Sequence, residues 1–164
     1  PGGPEIEKKA TNGDENKFIL PHPLEKKQTM DFSFSGIKTA VNLIVKNNKN
    51  INEQFICDIS ASFQKTISNI LNTKLKITME YCLDRNINIT QIAIVGGVAS
   101  NKYIYKKMKY FADFFNCSVI LPPKYMLSDN AAMVAWACST KRKIKDFSNI
   151  NFKANPRLKI NSIL

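Results

Sequence analysis

Two short apolar runs, "QIAIV" at 91–95 and "CSVIL" at 117–121, alternate with helix-periodic stretches, and this alternation limits the fold more than any other feature. Between the runs, Ile104, Met108, Phe111, Ala112 and Phe115 recur at the spacing of one helix face. Pro122 and Pro123 close the second run, because proline has no donor for a strand ladder. "NAAMVAWACS" then reads as a last helix that Ser128 or Asp129 can cap, with alanines that permit close packing. Strand, helix, strand, helix predicts an α/β layer around a mostly parallel sheet, the first strand being short and buried.

Upstream, residues 1–30 are rich in proline, glycine and charge and read as irregular, with "FILPHPL" as one short strand. "DFSFSG" alternates, Phe32 and Phe34 against Ser33 and Ser35, until Gly36 breaks the strand pattern. Ile37, Ala40, Val41, Ile44 and Val45 follow at helical spacing. Asn50 with Glu53 resembles a capping box. It opens a long helix whose face carries Ile56, Ile59, Phe63, Ile67, Ile70, Leu71, Leu75 and Cys82.

A chain of 164 residues fits one domain with a real core. No run of about 18 apolar residues occurs, so no membrane-spanning helix is predicted. "PGGPEIEKKATNGDENK" lacks the apolar centre of a signal peptide. Cys57, Cys82, Cys117 and Cys138 form no CxxC pair, which points to free, reduced thiols inside a cell and away from a disulfide frame or a zinc site. The net charge of +11 invites a phosphate-rich partner. Base composition competes as its source: arginine occurs only at Arg85, Arg142 and Arg157, and Lys, Asn and Ile share A/T-rich codons.

Within "IVGGVASN", an apolar run ends in Gly96 and Gly97 and turns into a helix, which lets a ligand approach bare backbone. The helix start adds unpaired N–H groups and a positive dipole end. Asn101 there can cap the helix or bond a ribose or base, so a nucleotide cradle and a plain tight turn both stand. In "LSDNAAMVAW", Asp129 is either a helix cap or a carboxylate suited to a hard metal, and one Asp makes no metal site. His22, the only histidine, lies between prolines in a turn.

"PGGPEIEK", "DFSFSGIKTAV", "IAIVGGVASN" and "SDNAAMVAWA" occur in that order. The set resembles the C-terminal half of the tRNA adenosine threonylcarbamoyltransferase family from residue 1 to about 137, and "NPRLKI" is similar to the family's closing segment. The resemblance implies the α/β superfold of actin, sugar kinases and heat-shock ATPases (ASKHA), here mostly its second lobe. Residues 1–30 would continue from a first lobe, 31–140 would form the C-terminal lobe, and 141–164 a basic tail. It implies nucleotide contacts at Gly3, Glu7, Gly96, Gly97 and Asn101, and makes Asp129 one ligand of a divalent metal, iron or zinc. The implied reaction moves a threonylcarbamoyl group from threonylcarbamoyl-AMP to the N6 amine of the adenosine 3′ of the anticodon. Lysines after Asn101 would meet tRNA phosphates, or form a solvated face. A paralogous partner subunit and an ATPase are implied partners, with no membrane and a cytoplasmic location, mitochondrion or plastid being the rival.

The sequence departs from the family pattern. The family has a whole first lobe ahead of "PGGP", with a His-x-x-x-His pair that supplies the other metal ligands and is absent from this chain. Leu127 stands where the family commonly has Cys, and Ser128 where it has Thr. The expectation is a fragment or one half of a split protein, inactive alone, with its inter-lobe apolar face exposed. Two alternatives stand: a non-catalytic nucleotide- or RNA-binding remnant of the superfold, and a sugar-kinase-like phosphotransferase, which "DFSFSGIKTA" speaks against.

Overall fold

The computed structural model describes residues 2–25, 27–145, 151 and 153. Its elements are α1 (Gly2–Ala10), α2 (Ile37–Asn47), α3 (Glu53–Asp84), β1 (Gln91–Ala93), α4 (Lys102–Phe114), β2 (Ser118–Ile120) and α5 (Ala131–Lys143). They fall into two units, Pro1–Ser128 and Asp129–Leu164.

The first unit is built on α3, whose 32 residues make a rod of about 48 Å. Its cap is Asn52, two residues beyond the Asn50 expected from sequence: Asn52 Oδ1 accepts the Phe55 N–H at 2.8 Å. Part of the expected apolar face is in place. Ile70 is buried with Leu20 and Ile37, and Phe63 and Ile67 pack against them beside Ala40, Val41 and Ile44 of α2. Ile59 is buried too, but Ile56 is exposed. Gly36, at φ 82°, makes the left-handed turn into α2.

α3 also buries Asp58, Ser62, Gln64, Thr66, Ser68 and Lys74, which apolar periodicity does not foresee. The residues after α1 explain several of them. That segment has no ladder of its own, and its backbone groups still need partners. Asp58 Oδ1 accepts the Asp14 N–H at 2.8 Å, and Ser62 Oγ accepts the Phe18 N–H at 3.1 Å. Lys74 Nζ donates to the carbonyls of Leu24, Lys27 and Thr29 at 2.9, 3.3 and 2.9 Å. Side chains of one helix thus replace a strand's neighbours, and "FILPHPL" forms no strand. Nor does "DFSFSG": Phe32 and Phe34 stack at 6.4 Å and 8°, without pairing to another strand.

Residues 1–30 are not irregular throughout, because Gly2–Ala10 is helical. Pro4 sits in the first turn, where its missing N–H is not needed. Glu5 near the start and Lys8 and Lys9 near the end match the helix dipole. Ala10 is buried, and Lys9 pairs with Glu53 at the start of α3.

β1 and β2 are parallel, in the register Gln91↔Ser118, Ile92↔Val119, Ala93↔Ile120, as the alternation of elements predicts. The strands are shorter than the apolar runs and only half-buried. Ile92 and Val119 face a cluster of Met79, Ala112 and Cys117, while Gln91, Ala93, Ser118 and Ile120 are exposed. A third cluster, Ile94, Ala99 and Leu127, lies under the turn that leaves β1.

In the second unit Asn130 caps α5, accepting the Met133 N–H at 2.9 Å, so neither Ser128 nor Asp129 is the N-cap. Among three adjacent capping residues, the backbone dihedrals select the last. α5 buries no residue and ends in Lys141, Arg142 and Lys143, so the helix runs into the expected tail. "NPRLKI" lies outside the described residues. No described helix is long and apolar enough to cross a membrane.

Candidate functional site

The turn from β1 to α4 begins at Gly96, whose φ of 87° and ψ of 168° suit glycine alone. A 3-10 turn over Gly97–Ser100 follows, closed by the Ala99 N–H on the Gly96 carbonyl at 3.0 Å. Ser100 Oγ donates to the Gly97 carbonyl at 2.7 Å. Buried Ala99 anchors the turn on Ile94 and Leu127. Asn101 then caps α4, its Oδ1 accepting the Ile104 N–H at 2.9 Å. Its Nδ2 is engaged as well, donating to Gln64 Oε1 of α3 at 2.7 Å.

Glu7 joins the same place from α1. Its Oε1 accepts the Lys102 N–H at 2.7 Å, a carboxylate on the positive end of α4. Gly3 lies one turn before Glu7 on the same side of α1. The structure therefore brings Glu7 against the start of α4, next to Asn101 and just after Gly96 and Gly97.

Of the described glycines only Gly13 is enclosed by packing. A Cβ added at Gly3, Gly96 or Gly97, as at Gly2 or Gly36, would meet no atom of the described residues within 4 Å beyond its chain neighbours. Gly96 needs its φ, but Gly97 has no positive φ. Neither the backbone nor any described neighbour of this chain therefore calls for glycine at Gly97, and at Gly3 helix propensity argues against it.

Next to the cap, Tyr103 donates to Glu15 Oε2 at 2.7 Å. Burial first, then this hydrogen bond and the charge of Glu15, push the Tyr103 phenol well above its usual range, so it stays protonated. Lys102, Lys106, Lys107 and Lys109 of α4 are exposed. Lys107 Nζ stands 5.4 Å from the centre of the Tyr103 ring, and Lys109 pairs with Asp113 at 3.0 Å. Sequence reading misses Gln64, Tyr103 and Glu15. Gln64 gave no signal, because the partner it serves is 37 residues away.

Asp129 lies in the second unit, exposed and one residue before the α5 cap. Among the described residues no group of three or more His, Cys, Asp or Glu side chains converges to hold a metal ion. A lone carboxylate does not retain a transition metal, so the described residues do not form a metal centre by themselves. His22 stands 3.8 Å from Glu25 in the segment along α3. All four cysteines are free.

These features define a class: an α/β protein whose glycine-flanked strand–turn–helix is clamped by two other helices and open on its glycine side. A family profile described as tRNA N6-adenosine threonylcarbamoyltransferase matches residues 1–136. Among curated relatives of that name, one from Rickettsia massiliae (strain Mtu5) is 41% identical over 165 residues, covering 99% of this chain and 48% of its own length. One from Ehrlichia canis (strain Jake) is 39% identical over 166 residues, covering 99% and 47%. The chain belongs to the tRNA N6-adenosine threonylcarbamoyltransferase family, and it spans about half the length of the curated relatives it matches.

Proposed function

We propose that this chain is the adenylate-positioning part of an enzyme that transfers a threonylcarbamoyl group from threonylcarbamoyl-AMP to the N6 amine of the adenosine 3′ of the tRNA anticodon. The observation that carries this reading is the bare backbone at Gly3 and Gly97, where a Cβ would meet nothing among the described residues beyond its chain neighbours. A flat base or a ribose packed against those positions accounts for the missing side chains. Asn101 supplies a fixed amide at the same edge. Glu7 holds α4 with one carboxylate oxygen, leaving the other for a ribose hydroxyl.

In the transfer, the amine attacks the carbamoyl carbon and gives up a proton, the bond to the phosphate oxygen breaks, and AMP leaves. Holding AMP still while the carbon meets the amine is a positioning task, and orientation of this kind supplies a large part of a transfer rate. The chain's own share is binding and orientation. Within the superfold of actin and the sugar kinases, this part corresponds to the second lobe. Asp129 would give one ligand to an iron or zinc ion that polarises the donor. The remaining ligands would come from the histidine pair of a first lobe. The exposed lysines of α4 suit tRNA phosphates. A paralogous subunit and an ATPase complete the assembly in the cytoplasm.

The test is calorimetric titration of AMP into the complete gene product, paired with transfer of labelled threonylcarbamoyl from threonylcarbamoyl-AMP to tRNA. Saturable AMP binding and transfer, both weakened by Asn101→Ala, are expected. A folded protein that binds tRNA but neither binds AMP nor catalyses transfer would instead be a non-catalytic RNA-binding module.

A further inference from the structure

We infer that Gln64 is a positioning residue for the nucleotide, acting through Asn101. The inference rests on the adenylate reading of the β1–α4 turn and adds a residue that lies outside the four stretches carrying the family resemblance. An asparagine N-cap needs only its oxygen, and its nitrogen ordinarily faces water. Here the nitrogen is committed: Asn101 Nδ2 donates to Gln64 Oε1 at 2.7 Å while Oδ1 accepts the Ile104 N–H at 2.9 Å. The Ile104 N–H decides which end of the amide is oxygen, and Gln64 holds the other end. An amide gripped at both ends cannot rotate about its last torsion. The second hydrogen on Nδ2 then points in one fixed in-plane direction.

Gln64 is suited to that task. It is 6% exposed, on a 32-residue helix tied down by both apolar packing and polar contacts. Burying an amide costs free energy unless it is hydrogen-bonded, and a methionine would fill the same volume without that cost. The hydrogen bond to Asn101 is what a glutamine adds there. Glu7 clamps the neighbouring Lys102 N–H from α1, so two helices fix the start of α4 before any ligand arrives. Such preorganisation reduces what binding must spend on ordering side chains.

The experiment measures AMP affinity, melting temperature and the Asn101 side-chain amide resonances of the complete gene product and its variants. Gln64→Met and Gln64→Asn both withdraw the acceptor, the second while staying polar. Each is expected to weaken AMP binding about tenfold, the worth of one well-placed hydrogen bond. The Asn101 amide protons should shift towards solvent-exposed values while the Ile104 backbone resonance stays in place. In an Asn101→Ala background Gln64→Met should cost nothing further, because the two side chains act as one unit. If both Gln64 variants bind AMP like the parent while Asn101→Ala does not, the role of Gln64 is overturned and the adenylate reading survives. Additive losses in the double variant also overturn it. If Asn101→Ala leaves AMP binding unchanged, the adenylate reading fails and this inference with it.

Discussion

Glycine serves opposite ends in this chain. At Gly13 a Cβ would stand 2.0 Å from the Cys57 carbonyl oxygen and 2.8 Å from the Asp58 nitrogen. Both are backbone atoms of a long helix and cannot step aside. Gly13→Ala is expected to cost about 2–3 kcal/mol, seen as a lower midpoint in urea denaturation. The contact beside it gives a pH dependence. The Asp14 N–H, then the Gln54 amide, hold the Asp58 carboxyl below its ordinary value of 3.8. A carboxyl whose folded value is lowered stabilises fully above the unfolded value, and loses that contribution as pH falls through the lowered one. The parent should therefore lose stability below pH 3.8, and Asp58→Asn should flatten that part of the curve. Denaturation midpoints taken from about pH 6 to about pH 2 check the sign.

At the scale of elements, α3 organises segments that periodicity alone leaves unexplained. Lys74 is 1% exposed and holds the carbonyls of Leu24, Lys27 and Thr29. Lys74→Met keeps the volume and strands those carbonyls. It should cost about 2–3 kcal/mol and speed limited proteolysis between residues 20 and 31. α2, α4 and the β1–α4–β2 unit were legible because their apolar spacing is local and regular. The polar ladder of α3 was not, because its partners lie 44 to 50 residues away. α1 was hidden by Pro4 and its glycines, which composition reads as loop although Pro4 fits a first turn. Asn101 caps α4 as expected, but two other caps were legible in kind and misplaced in position: Asn52 replaces Asn50, and Asn130 replaces Ser128 or Asp129, because neighbouring residues share the chemistry and only the backbone chooses.

For the whole molecule, the family was legible through the order of its motifs more than through any one of them, and the candidate site followed from that order. The two glycines and Asn101 were visible in the β1–α4 turn, and Glu7 and Gly3 followed from the resemblance. Gln64 was not visible, since a glutamine beside an apolar helix face carries no mark of the residue it holds. Asp129 was singled out as a candidate metal ligand, and among the described residues no group of three or more His, Cys, Asp or Glu side chains converges. What remains is a scaffold of two helices, α1 and α3, that fixes the start of α4 and leaves glycine backbone bare beside it. Gly97→Ala tests that description most directly, because the new methyl meets no atom of the described residues within 4 Å beyond its chain neighbours. Melting temperature and AMP affinity would be measured on the same preparation. Unchanged or slightly raised stability, with AMP bound at least about tenfold more weakly, is the expected result. Equal AMP affinity in the variant and its parent would contradict the claim that this glycine is there for the nucleotide.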